Sequence, residues 1–279
     1  MAGSVDDSRM PFMEHLDDLR ICLRNTAFAI LGCTIVTYLF RKKLFAWMAS
    51  PFFQAWDRVE LDGKRLGAPE MVFTSPMENF MVHFKAALVA GVFASSPFVF
   101  RELWRFISPG LYPHERRWGL AFVVAAVLLF VGGGLFAYYY VLPAGFEYFL
   151  GYANESVDII RAMGHKTFAL RPMISMDEYF GLTTMLLLVF GLVFELPLVL
   201  SILAMLGIVS AAQLWKFNRY AIIIFAVLGA FLTPGDLVVG QLAMTGALTV
   251  LYNLSIVLAL IVGRKRKAES EALISTPSP

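Results

Sequence analysis

Charge is scarce in this chain: Asp, Glu, Lys and Arg make up 16% of its 279 residues, where soluble domains carry ~25%. Cysteine is nearly absent. The two that occur, Cys22 and Cys33, fall eleven positions apart on one expected helix, ~16 Å at helical rise, so an intrachain disulfide is excluded. The four histidines, His15, His83, His114 and His165, sit on separate stretches without metal-ligand spacing. No nucleotide-binding loop, nucleophile elbow or zinc-protease helix occurs, so the expectation is no enzyme, no metal and no cofactor. The formal net charge is +2, which leaves no general footprint for nucleic acid.

What fills the chain instead is apolar. Hydrophobic residues reach 58% and the mean hydropathy is +0.68. Charge-free runs recur along the chain, and a bilayer core of about 30 Å takes ~20 apolar residues per helix. The expectation is an all-α polytopic membrane protein, one integral membrane domain over 1–279. Six transmembrane helices are expected at about 22–41, 77–100, 118–142, 176–206, 219–233 and 238–262. The first run is followed by Arg41-Lys42-Lys43 without a small-residue cleavage site, which reads as a retained span and not a secretory signal. From Tyr179 to Trp215 the one charge is Glu195, with Pro197 two residues on; this reads as one long kinked helix. The fifth span is short for a bilayer, and Thr233-Pro234-Gly235-Asp236 makes it a tight hairpin with the sixth. Lys and Arg are in modest excess on the side that holds both termini, which favours both ends inside, although Arg41-Lys42-Lys43 opposes this. Residues 1–21 form an amphipathic cytoplasmic segment, 263–279 a cytoplasmic tail. Glu78 and Lys85 read as snorkelling to an interface.

Three places could carry chemistry. On the N-terminal segment, Phe12, Leu16, Leu19 and Leu23 share one helical face, while Asp17, Arg20 and Arg24 line a second. Glu14 and Asp18 form an acidic pair that no cation on the same helix neutralises; it is either a solvated interfacial face or a patch awaiting a cation. The loop 101–118 packs Trp104, Arg105, Phe106, Pro109, Glu115, Arg116, Arg117 and Trp118 together. A helix start with Glu115 in its first turn and an aromatic belt accounts for most of that composition. Glu195 lies inside an apolar span, where a charge costs at least about 2.5–3.5 kcal/mol. It is either a functional acid or a neutral one hydrogen-bonded to a polar stripe on the sixth span, Gln241, Thr245, Thr249 and Tyr252.

Taken together these segments resemble the TatC family, the multi-spanning core subunit of twin-arginine protein translocases. His15-Leu16-Asp17-Asp18-Leu19-Arg20 is similar to the family's H-L-x-E-L-R, and Pro51 to its outer-loop proline. Trp104 to Arg117, which includes Pro109, is similar to its most specific block. Phe194-Glu195-Leu196-Pro197 is similar to F-E-x-P, and Leu232 to Asp236 to L-T-P-x-D. The resemblance implies six spans in the cell membrane with both termini cytoplasmic. It implies a cytoplasmic surface that binds the Arg-Arg signal of folded cargo through Asp18 and Glu115, with Arg20, Arg105 and Phe106 beside them. It further implies an intramembrane contact at Glu195, with Gln241 and Thr245, for single-span subunits of the TatA/TatB type. Transport driven by the proton-motive force and further copies of the chain in the complex follow from the same resemblance. Pro51, Pro109, Pro197 and Asp236 are implied as structural. One departure is that Asp18 stands where the family usually has Glu, which shortens its reach by a methylene. The alternative function is a proton-coupled transporter of small solutes with Glu195 as relay, and a third is a membrane scaffold without cargo recognition.

Overall fold

The computed structural model describes residues 12–61, 64–65, 69–111, 116–163, 173–232 and 239–275. Between Phe12 and Leu39 there is no proline and one glycine, and this stretch is a single helix, α1. The amphipathic segment and the first span are therefore one rod. After a turn at Phe40 comes α2 (Arg41–Arg58), where the sequence suggested only an outer loop. Charges at both ends hide α2 from a search for charge-free runs, yet Met48, Ala49, Phe52, Ala55 and Trp56 are buried at helical spacing. Glu60–Leu61 and Lys64–Arg65 (β1 and β2) pair antiparallel, and Met71–Val72 (β3) pairs in parallel with Ile174–Ser175 (β4).

Helix α3 (Pro76–Ile107) starts with Ser75, whose hydroxyl accepts from the Met77 amide at 3.3 Å, and with Pro76 in the first turn. Its 32 residues run ~48 Å and pack antiparallel to α1. The chain turns at Ser108–Gly110 and re-enters as α4 (Gly119–Phe136). A π-helical turn at 137–141 joins α4 to α5 (Leu142–Ala162), so the second expected outer loop is half helix. Then follow α6 (Met176–Phe194), α7 (Leu196–Met205), α8 (Ala211–Leu232) and α9 (Val239–Ser275). The passage from Met176 to Met205 is broken only at Glu195, as the kinked-helix reading required. It ends at Gly207, which has φ 75°, where the Ile208 amide reaches the Leu203 carbonyl at 2.9 Å and closes the last turn.

Four of these passages are long and apolar enough to cross a membrane among the described residues: His15–Leu39, Pro76–Gly110, Gly119–Tyr152 and Met176–Met205; Met244–Leu260 is a shorter apolar helix. Lipid offers no hydrophobic drive between helices, so close approach of small residues holds them. A Cβ on Gly91 would stand 2.4 Å from the Thr34 hydroxyl oxygen and 2.8 Å from its backbone, which sets the α1–α3 distance. At α4–α6, a Cβ on Gly133 would meet the Phe190 carbonyl oxygen at 2.4 Å.

The prolines are compensated by partners. Pro51 lacks an N–H, so the Trp47 carbonyl one turn back is left free. The Tyr138 hydroxyl, swung round by the π turn, donates to it at 2.6 Å, and the Tyr179 hydroxyl donates to the next carbonyl, Met48, at 2.7 Å. Pro51 thus docks α2 onto α4–α6. At the start of α3, Glu78 does not snorkel. It is buried and accepts from the Thr74 amide (2.7 Å) and hydroxyl (3.0 Å), the Ser175 hydroxyl (3.1 Å) and the Asp177 amide (2.8 Å). Lys85 pairs with Asp177. The lone acid of the α3 start therefore ties the α6 start to it, a link that local hydropathy could not reveal.

Candidate functional site

The far end of α3 meets the N-terminal part of α1. His15 lies flat on Phe106, ring centroids 4.4 Å apart and planes 12° from parallel. One α1 turn further on, Asp18, Ile21 and Cys22 face Glu102, Arg105, Phe106, Ser108 and Pro109 across a pocket of about 300 Å³. Helical spacing brings the two sides together: residues three to four apart share a face on each helix, and the Gly91–Thr34 contact holds the helices close.

Two carboxylates belong to this pocket. Asp18 is half-buried. Glu102 is 17% exposed; its Oε2 accepts from the Asn25 amide at 3.2 Å and lies 4.0 Å from the Arg105 guanidinium. Arg105 is 69% exposed, so solvent screens most of that attraction. Half-buried carboxylates beside a flat aromatic suit a planar guanidinium, which pairs with them through two parallel N–H groups as an ammonium cannot.

Of the residues singled out in the sequence, the structure unites Asp18, Arg105 and Phe106 here. Arg20 is on the same helix but exposed and outside the pocket lining. Leu16 and Leu23 of the N-terminal apolar face are exposed as well, turned away from the protein interior. Glu115 lies outside the described residues, as does Asp236. Next to Glu115, Arg116 donates to the Pro109 carbonyl at 3.0 Å, and this fixes the turn that Pro109 begins. Glu102 was missed by sequence reasoning. Its partner Asn25 is 77 positions away, and the only local sign was an acid three residues before Arg105.

Glu195 is buried at 6% exposure, and its Oε1 has no hydrogen-bond partner among the described residues. Pro197 is buried in the first turn of α7. The polar stripe on α9 is directed at α8. Gln241 donates to the Ala226 carbonyl at 3.0 Å, and the Tyr252 hydroxyl donates to the Leu214 carbonyl at 3.0 Å. Thr245 stands beside Gly229.

A model of the family described as Sec-independent protein translocase protein (TatC) matches residues 14–247. The TatC protein of Desulforapulum autotrophicum is 36% identical over 268 residues, covering 96% of this chain and 91% of its own. That of Aquifex aeolicus is 33% identical, covering 94% of this chain and all of its own length. Among solved structures, a crystal structure of the twin arginine translocase receptor TatC superposes with a TM-score of 0.68 at 32% identity, covering 89% of this chain and 99% of that one. With helices in this order, four membrane-crossing passages and a match that runs through the pocket and Glu195 alike, the chain belongs to the TatC family of Sec-independent protein translocases, membrane proteins of protein transport and not enzymes.

Proposed function

We propose that this chain is the receptor subunit of a twin-arginine translocase. It binds Arg-Arg signal peptides of folded cargo at the α1–α3 pocket, on the cytoplasmic face of the cell membrane. The reading rests above all on one observation: Asp18 and, far from it in the chain, Arg105 and Phe106 line a single pocket that holds a second acid. Asp18 and Glu115 take the guanidinium groups, Phe106 covers the apolar part of the signal, and Arg20 rims the site. The chain crosses the membrane six times with α8 and α9 as the last pair, and both termini are cytoplasmic. Glu195, buried without a full set of partners, is the intramembrane contact for single-span subunits of the TatA/TatB type, and Gln241 and Thr245, on the α9 face that meets α8, belong to the same contact. Further copies of the chain assemble around them, and the proton-motive force drives export. Membership of a protein-translocase family favours this reading over a small-solute transporter.

The test is photocrosslinking from probes beside Asp18, Glu115 and Glu195 in inside-out and right-side-out membrane vesicles. An Arg-Arg signal peptide crosslinks at the first two positions in inside-out vesicles only, and its Lys-Lys twin does not. The probe beside Glu195 captures a single-span subunit. Equal capture of both peptides, or capture from the other side, overturns the site or its orientation.

A further inference from the structure

The family pattern supplies two acids, and in this chain one of them is shortened to Asp18. Opposite Asp18, on the α3 wall of the same pocket, stands Glu102. Its surroundings are unusual for a structural ion pair. One oxygen is held by a neutral amide, Asn25, at 3.2 Å. The nearest cation, Arg105, lies at 4.0 Å, the outer edge of ion-pair geometry, and is mostly in solvent. Glu102 itself is largely shielded, so its charge is poorly compensated. Asn25, which is not part of the pocket lining, orients the carboxylate, and Glu102 itself lines the pocket. Arg105, one helical turn along α3, reaches toward Glu102 with the same group that a signal arginine would bring.

We propose that Glu102 is a specificity-determining residue of the pocket. With Asp18 it clamps one guanidinium of the Arg-Arg signal, and Arg105 is a built-in placeholder that swings into solvent when the signal arginine enters. This rests on the receptor reading above. The flexible Arg105 side chain, already exposed, gives way without rearranging the backbone. Asp18 and Glu102 on facing helices supply from two sides the reach that Asp18 alone lacks. An ammonium, a single hydrated point charge, cannot satisfy both walls at once, so the clamp favours arginine over lysine.

Binding of Arg-Arg and Lys-Lys signal peptides to the full chain in lipid nanodiscs tests this with three variants. Glu102→Gln keeps the shape and an acceptor for Asn25. It is expected to weaken Arg-Arg binding by about tenfold or more while leaving the Lys-Lys peptide unchanged, so the discrimination between the two narrows. Arg105→Gln is expected to strengthen Arg-Arg binding, an effect in the opposite direction that a damaged fold would not produce. Asp18→Ala serves as the reference. Should Glu102→Gln and Arg105→Gln both bind Arg-Arg peptide like the unaltered chain while Asp18→Ala loses it, the role of Glu102 is overturned and the receptor reading stands. Should the unaltered chain bind the two peptides alike, both fall.

Discussion

In the proposed receptor reading, Asp18 is where a single side chain matters most for recognition. It is half-buried and faces a second acid, so on that reading an incoming guanidinium meets it partly shielded from water. Truncation to alanine is expected to cost about 2–5 kcal/mol of Arg-Arg signal affinity, the range for one partner of a desolvated charge pair; peptide titration checks this. A loss below about 1 kcal/mol would mark the contact as a screened surface pair. Asp18, Arg105 and Phe106 were legible in the sequence because they sit inside short motifs. Glu102 was not, because its meaning comes from Asn25 and Asp18 on another helix. Nor was Glu78: a carboxylate at a helix start reads locally as a dipole partner or a snorkelling group. Only the fold brings the Thr74, Ser175 and Asp177 donors around it.

Helices as units were legible where charge was absent and illegible where it was not. The long runs in α3, α4 and α6–α7 mark themselves. Helix α2 hides behind Arg41, Lys42, Lys43, Asp57 and Arg58, although its buried face has clean helical spacing. The polar stripe on α9 was recognised as one face, but periodicity does not say which neighbour a face meets, and the structure turns it to α8. Pairing of α1 with α3 depends on a missing side chain. Gly91→Ala puts a methyl group into the Thr34 backbone and is expected to cost about 1–3 kcal/mol, the range for an overpacked contact. Gly32→Ala, on the same pair of helices but with nothing within 4 Å, is expected to be neutral or to stabilise, because alanine is the better helix former by up to about 1 kcal/mol. Thermal unfolding of both variants in detergent provides the comparison, and equal melting temperatures would refute the close-approach account.

Over the whole molecule, the two ends of α3 are built differently. At its start, one carboxylate gathers four hydrogen bonds from two separate segments, and Lys85 locks Asp177 beside it. Glu78→Ala removes the hydrogen bonds that tie the α6 start to the α3 start, and the cooperative melting of the full chain is expected to move to lower temperature. Glu78→Gln, which keeps an acceptor, is expected to fall between the two. An unchanged melting profile for Glu78→Ala would show that the β3–β4 ladder and the Lys85–Asp177 pair suffice to join these segments. At the other end α3 and α1 are bridged by the His15–Phe106 stack and the Asn25–Glu102 hydrogen bond, with a pocket between them. The Gly91–Thr34 contact lies midway along α3 and works as a fulcrum. The stretch of α1 from Phe12 to Thr34 is a lever arm, with the pocket under its tip. A ligand that prises the arm at Asp18 can widen the pocket only by breaking the His15–Phe106 stack or the Asn25–Glu102 hydrogen bond, because the fulcrum itself has no slack.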